Sequence, residues 1–158
     1  PRSLFWLTPS GQETLLSSPN RATIAAIDVN PNPEAFGADS SGQASYAWDL
    51  APNAGGLPLI GNSSFSLSIS ASTATPSTCV FLLGPTRLTP ALPVLGASIH
   101  VDPTSALTFQ FAFQGSALIP LPLPQQNSLR GLRLYGQSIH YEGGATLAAT
   151  PGVELTIL

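Results

Sequence analysis

Two histidines and one aspartate are the residues of this chain whose types and spacing could do chemistry. His100 and Asp102 lie two positions apart, so on an extended strand their side chains would share one face. With His140 they could form a site of two imidazoles and one carboxylate, a ligand set for non-heme iron and related metals. Such a set arises by chance in most chains, and nothing in the sequence brings these three residues together. We therefore predict no metal and no cofactor, and name the three residues as the candidates.

Other catalytic patterns are missing from the sequence. Serine is common, but no Gly-x-Ser-x-Gly turn is present to expose a nucleophilic serine. The eight acidic residues are scattered, so no carboxylate pair for glycoside cleavage is marked. The chain has no lysine and hence no lysine-containing phosphate loop. We predict that the protein is not an enzyme, and the alternative is a hydrolase that uses His100, Asp102 or His140.

Aromatic side chains offer a second kind of site. The flat face of an aromatic ring matches the apolar face of a sugar ring, so exposed Trp and Tyr residues can bind carbohydrate. The candidates for such stacking are Trp6, Trp48, Tyr135 and Tyr141. Trp48 and Tyr135 occupy alternating positions of predicted strands, where a place in the core is more common. A carbohydrate-binding module is therefore the alternative function. Asn62 begins an N-glycosylation sequon, Asn-Ser-Ser.

The composition favours an exported β-protein. Only 8% of the residues are charged, far below the usual ~25%, and the chain carries 16 prolines and 14 glycines. We expect an extracellular or cell-surface location. A net charge of −3 with five scattered arginines gives no basic patch, which argues against nucleic acid as a partner. No apolar run approaches the ~20 residues of a membrane-spanning helix.

A single cysteine excludes an internal disulfide. Cys79 lies in an apolar run over residues 79–83, where a buried thiol is expected and an intermolecular bridge is the alternative. The run is apolar at every position, so it predicts a strand that is covered on both faces.

Residues 106–141 supply the elements around which the fold is expected to form. In residues 107–113 the alternation places Leu107, Phe109, Phe111 and Phe113 on one face, which predicts a strand with that face buried. Residues 117–123 carry prolines at every second position from 120, and the missing amide donors predict a strand at the edge of a sheet. Residues 132–141 predict a third strand.

The remaining pattern is also one of short strands. We predict strands at 12–16, 22–29, 43–50, 64–70, 97–101 and 153–158, loops at 52–61 and 84–93, and one helical turn at 125–130. About ten short strands with turn residues between them are typical of an antiparallel sandwich or barrel. We predict an all-β fold, an Ig-like or jelly-roll-like β-sandwich that forms one domain over residues 1–158.

Residues 80–158 contain a series of short motifs in a fixed order. The motifs are Phe-Leu-Leu-Gly at 81–84, His-Val-Asp-Pro at 100–103, Pro-Leu-Pro-Leu-Pro at 120–124 with Asn127, Leu-Arg-Leu-Tyr-Gly-Gln at 132–137 and Val-Glu-Leu-Thr-Ile at 153–157. In this order the segment resembles a module at the C-terminal ends of secreted proteins of environmental bacteria. The resemblance implies a small β-sandwich in an exported or surface protein, without catalytic residues. Residues 1–79 are longer than the corresponding half of the module, so their extra strands are candidates for a role in assembly.

The N-terminal residues Leu4, Phe5, Trp6 and Leu7 form an apolar run that must be covered by protein. Low charge removes much of the repulsion that keeps sheets of different molecules apart. We therefore expect a non-enzymatic structural subunit that packs against copies of itself or other subunits through sheet surfaces and this N-terminal run.

Overall fold

The computed structural model of the protein describes residues 33–40, 44–49 and 56–158, together with the backbone of two strands nearer the N-terminus. The chain divides into two compact units, Pro1–Asn30 and Pro31–Leu158. In the first unit, β1 (Leu4–Leu7) pairs antiparallel with β2 (Glu13–Ser17). The strand predicted at 12–16 therefore corresponds to β2, and the strand predicted at 22–29 lies outside the described residues.

The second unit consists almost entirely of antiparallel strands. They are β3 (Glu34–Phe36), β4 (Tyr46–Asp49), β5 (Ser66–Ala71), β6 (Ser77–Gly84), β7 (Arg87–Val94), β8 (Ala97–Val101), β9 (Leu107–Phe113), β10 (Ser116–Pro120), β11 (Arg133–Tyr141), β12 (Leu147–Ala149) and β13 (Gly152–Thr156). One 3₁₀ turn, Asn127–Leu129, precedes β11. The predicted all-β fold is confirmed.

Two sheets of the second unit pack face to face. The larger sheet has the order β3-β13-β11-β6-β9, with β12 beside β11, and the smaller has the order β10-β5-β4. In β5 the apolar side chains Leu67 and Ile69 are buried as the alternation predicts, and Ser70 is exposed, but Ser66 is buried although its position in the alternation is an outward one. The two apolar side chains meet Phe81 of β6 and Leu155 of β13 in the main hydrophobic core. Apolar residues at every second position therefore produce the sandwich.

A ribbon formed by β7 and β8 contributes a third layer. Ile99 and Val101 of β8 form a second hydrophobic cluster with Leu82 of β6, on the face opposite to the main core. Since Cys79 and Phe81 belong to the main core, β6 is covered on both faces. The sequence prediction for residues 79–83 is confirmed.

The predicted loop at 84–93 is wrong, because β7 occupies most of it. Pro90 and Pro93 fit in this strand because β8 is its one strand partner among the described residues, and the pairing shifts register between Arg87 and Leu92. A proline can occupy a strand when its missing amide would point away from the ladder or lies at an irregularity.

The predicted burial of β9 is correct at one end of the strand and wrong at the other. Phe113 is 3% exposed and Phe111 is half-buried, but Phe109 is 45% exposed and Leu107 is 65% exposed. The alternation did place the four side chains on one face. Their burial differs because β9 is an edge strand of the larger sheet, and the facing strand β10 ends at Pro120 with a cleft between the two.

A pair of phenylalanines tests this assignment of core and surface. Phe81 and Phe109 lie opposite each other on β6 and β9, yet Phe81 is 0% exposed. We expect Phe81→Ala to lower the free energy of unfolding by about 3–5 kcal/mol, since it opens a cavity in the core. Phe109→Ala should cost about 1 kcal/mol or less because its site is already open to water. Urea unfolding followed by tryptophan fluorescence measures both, and equal losses would contradict the assignment.

Candidate functional site: an apolar cleft between two sheet edges

The structure places His100 and Asp102 at one end of the β7–β8 ribbon. The His100 Nε2 atom lies 3.2 Å from the carbonyl oxygen of Ala38. The Asp102 carboxylate accepts hydrogen bonds from the Thr104 hydroxyl at 2.8 Å and the Thr104 amide at 3.0 Å. Both hydrogen bonds lower the pKa of Asp102, and the bond from the Thr104 hydroxyl has the larger effect. Asp102 thus stabilises the local turn after β8, whereas His100 joins β8 to the distant segment that follows β3.

His140 lies in the main core and does not meet the other two candidates. Its ring stacks on Tyr46 with the ring centroids 3.6 Å apart, and it is fully buried. His100 belongs to β8, which packs on the opposite face of the larger sheet, so the sheet separates the two histidines. Within the described residues, no group of three His, Cys, Asp or Glu side chains could hold a metal ion.

The imidazole of His140 belongs to a chain of buried polar groups. Its Nε2 atom lies 2.6 Å from the Ser138 hydroxyl, and its Nδ1 atom lies 3.1 Å from the Ser77 hydroxyl. The Ser138 hydroxyl also lies 3.0 Å from the sulfur of Cys79. A serine and a histidine at this distance could act as nucleophile and base, but Ser138 and His140 are both 0% exposed. At this depth the hydrogen bonds among these side chains satisfy their buried polar atoms.

Burial sets the protonation of this chain. Desolvation lowers the pKa of His140 to about 4, against a smaller opposing effect of the Glu142 charge. The imidazole is therefore neutral at pH 7. Desolvation also raises the pKa of Cys79 to about 11, so this residue is a thiol, and its 0% exposure agrees with the predicted buried position.

The predicted sugar-stacking residues differ in exposure. Trp48 is a core residue whose indole N–H donates to the carbonyl of Pro151 at 2.7 Å, and Tyr135 is half-buried against Phe36. Trp48 therefore has the core position that its alternation favoured, and sugar stacking at Tyr135 stays a prediction. Tyr141 is 51% exposed. The side chains of Leu4, Phe5, Trp6 and Leu7 lie outside the described part of the chain.

The surface of the second unit has an apolar cleft between β9 and β10. It has a volume of about 420 Å³ and is lined by Phe109, Phe111, Leu118, Ile119 and Pro120. Leu118 is 63% exposed, which leaves a large apolar side chain at the mouth of the cleft. Residues 106–129 contain no charged side chain. The lining of the cleft is therefore apolar, and the chain segment that forms it is uncharged.

The turn between β9 and β10 creates this cleft. Gly115 has a φ of 73°, a left-handed conformation that glycine adopts without steric cost, and the chain passes there from the larger sheet to the smaller one. Both strands are edge strands of their sheets. The turn consequently places two edges side by side, which we call free because no further strand of the described residues in the second unit pairs with them. The position of β10 confirms the edge predicted from its prolines.

The edge of β9 is the least protected among the described strands of the two sheets. It has seven residues, with no proline and no charge. At the other edges, β3 has three residues that include Glu34, β4 has four that include Asp49, and β10 ends in Pro120. Short length, charge and proline are the devices that stop strand edges from pairing with other molecules. An edge without them is a site for such pairing.

Comparison with known proteins gives no relative of this chain. No family model matches it, and neither a curated protein nor a solved structure is similar to it. The resemblance of residues 80–158 to a bacterial module stays a prediction. In the described residues, no helix has the length and apolar character to cross a membrane.

The sequence analysis missed Leu118 and assigned Leu107 and Phe109 to the core. A signal was present for Leu118, since Ala117, Leu118 and Ile119 are consecutive apolar residues. In a strand, the middle residue of such a run must point away from the face that its neighbours bury. A proline-marked edge strand that is apolar on both faces thus indicates an exposed apolar side chain.

His140 should make the stability of the fold depend on pH. The unfolded chain takes up the histidine proton near the ordinary pKa of 6.5, and the folded chain does so only near 4. The stability that the neutral, buried His140 contributes to the folded state is therefore fully present above about pH 6.5. It is lost as the pH falls toward 4, and the free energy of unfolding decreases by about 3 kcal/mol in total. Urea unfolding of the protein and of His140→Gln, measured at several values from pH 4 to 7.5, should show this dependence in the protein and lose it in the variant.

The second histidine provides the control for this experiment. His100→Gln removes the other imidazole of the chain and leaves the buried one in place. The dependence between pH 4 and 6.5 should persist in this variant. The assignment of this pH dependence to the buried His140 ring would be contradicted if the dependence disappeared in His100→Gln or persisted in His140→Gln.

Proposed function

We propose that this chain is a non-enzymatic, exported structural subunit that packs into a larger surface or extracellular assembly through its sheet edges. The observation that carries the proposal is the apolar, uncharged cleft at the free edge of β9. Leu118 is 63% exposed and Phe109 is 45% exposed in its lining, and Leu107 at the start of β9 is 65% exposed. Contiguous apolar surface of this kind in a folded protein marks an interaction site.

The character of the site also supports assembly as the proposed role. The cleft contains no ionisable side chain, because residues 106–129 carry no charge and the lining is formed by Phe, Leu, Ile and Pro. Such a surface can exclude water and hold a partner, and it offers no group to transfer a proton. The low charge of the whole chain, 8% of its residues, supports close packing of subunits.

The N-terminal strand β1 is the second proposed contact. Its sequence, Leu-Phe-Trp-Leu, is entirely apolar, and its partner β2 is a single short strand within a unit of thirty residues. An isolated pair of strands is marginal in water, so apolar residues of this density gain stability from a further surface.

A charge placed at the cleft tests the proposal. Leu118→Glu puts a carboxylate on a side chain that is 63% exposed, so folding should be retained while burial against a partner becomes costly. We expect the association of the subunits to weaken at least about tenfold, since one buried unpaired charge costs more than the ~1.4 kcal/mol that this factor represents. Light scattering and sedimentation measure the association. In the same assay, a chain that lacks residues 1–8 should fold but associate more weakly.

Leu95→Glu is the matched control for this variant. Leu95 is 65% exposed and lies in the turn between β7 and β8, so the same charge enters at the same exposure outside the cleft. It should leave association unchanged. If the unaltered protein stayed a monomer at all concentrations, or if both variants behaved alike, assembly through the cleft would be ruled out.

A carbohydrate-binding module is the second candidate function, and Tyr141 is the observation that favours it. This tyrosine is 51% exposed and borders a shallow depression of about 350 Å³ with Thr78 and Glu142. An exposed aromatic ring beside polar side chains is suited to a sugar. Titration calorimetry against cell-wall and extracellular polysaccharides should then give heat that Tyr141→Ala abolishes, and an absence of heat across the panel would eliminate this candidate.

A further inference from the structure

We propose that two copies of this chain associate by antiparallel pairing of their β9 edges, so that the two larger sheets become one continuous sheet. The inference rests on the proposed function and deepens it by naming the partner, a second copy, and the surface, the free edge of β9. The pairing would be related by a two-fold axis that passes through Gln110, the central residue of Leu107–Phe113.

The backbone of β9 supplies the main attraction. On one side the strand pairs with β6 along its whole length, from Leu107 opposite Leu83 to Phe113 opposite Ser77. On its other side no described strand lies beside it. Each amide and carbonyl that points to this side depends on water, and an added antiparallel strand would satisfy them as a ladder does. A length of seven residues exceeds that of most edges that proteins leave open.

The side chains suit pairing of this strand with itself. With Gln110 on the axis, Phe109 of one copy lies opposite Phe111 of the other, and Leu107 lies opposite Phe113. Directly opposed aromatic side chains stabilise antiparallel pairs. On the other face of the strand, Thr108 lies opposite Ala112 and the two Gln110 side chains meet. No pair in this register brings like charges together, because β9 contains none.

The absence of charge also suits a second copy as the partner. A charged partner would gain nothing from residues 106–129, which carry no charge over the whole of β9, β10 and the turn between them. A second copy presents the same uncharged edge. It also closes the cleft, because the axis places the open sides of both clefts next to each other, with the exposed Phe109 and Leu118 of each copy at the junction.

Substitutions at the axis test the pairing. Gln110 is exposed, so a charge there leaves the fold intact, and in the pair it stands opposite its own copy. Gln110→Lys and Gln110→Glu should each turn the dimer into a monomer, because like charges directly opposite each other repel. An equimolar mixture of the two variants should restore the dimer, since the charges are then complementary. Gln114→Lys adds the same charge just beyond the strand and should remain a dimer. Sedimentation velocity measures all four samples.

A disulfide at the axis tests the register. Cysteines opposite each other on antiparallel strands are close enough to bridge, so Gln110→Cys should give a covalent dimer under mild oxidation. Thr108→Cys should give no covalent dimer. In this register residue 108 lies opposite residue 112 of the partner strand, so the two introduced cysteines are separated by four residues along that strand. Cys79 is 0% exposed and does not interfere.

The outcomes separate this inference from the proposed function. Monomeric single-charge variants whose mixture dimerises, together with the Gln110→Cys bridge, would establish the pairing. A different result would be that the protein associates, that Leu118→Glu weakens this association, and that the Gln110 variants associate as the unaltered protein does. The cleft would then hold a different partner surface, and the β9 pairing would be wrong. If the unaltered protein is a monomer throughout, both the pairing and the proposed function are wrong.

Discussion

The larger sheet is wider than either of the layers that cover it, and most features of the second unit depend on this mismatch. Its described strands number six, whereas the smaller sheet has three and the outer ribbon has two. The interior strand β6 is covered on both faces and is apolar at every position from Cys79 to Leu83. The edge strand β9 is covered only near Phe113. The cleft, the exposed Leu107 and Leu118, and the edge of β9 are all found where this cover ends.

The core contains more polar groups than a sandwich of this kind requires for packing. Gln137, Ser138, His140 and Thr150 are all 0% exposed. Burying such groups costs free energy unless each has a partner, and within the described residues no buried side-chain nitrogen or oxygen lacks one. Gln137, for example, donates to the carbonyls of Ser98 and Thr150 and accepts from the amide of His100. These bonds tie β11 to the outer ribbon and fix the placement of its strands.

The sequence was sufficient to predict the class of fold and the short strands with clear alternation. In β5 and β11 the periodicity and the turn residues act locally, so they can be read without knowing the neighbours. The exposure of Phe109 could not be predicted in this way, because its alternation is the same as that of Phe113. Whether a face is covered depends on where a distant strand ends, here β10 at Pro120.

The candidate site was predictable only in part for the same reason. The prolines marked β10 as an edge, but the adjacency of two edges arises from the order of strands in both sheets. The histidines show the converse. Nothing in the sequence decided whether His100 and His140 meet, and the sheet between them keeps them apart.

Hydrogen exchange of the β9 amides, measured as the protein concentration is raised, tests the central claim most directly. If the free edge of β9 pairs with a second copy, the amides of Leu107–Phe113 should become more protected as the particle mass increases, while those of β3 at the opposite edge stay unchanged. Exchange in β9 that is independent of concentration while the mass rises would contradict the account.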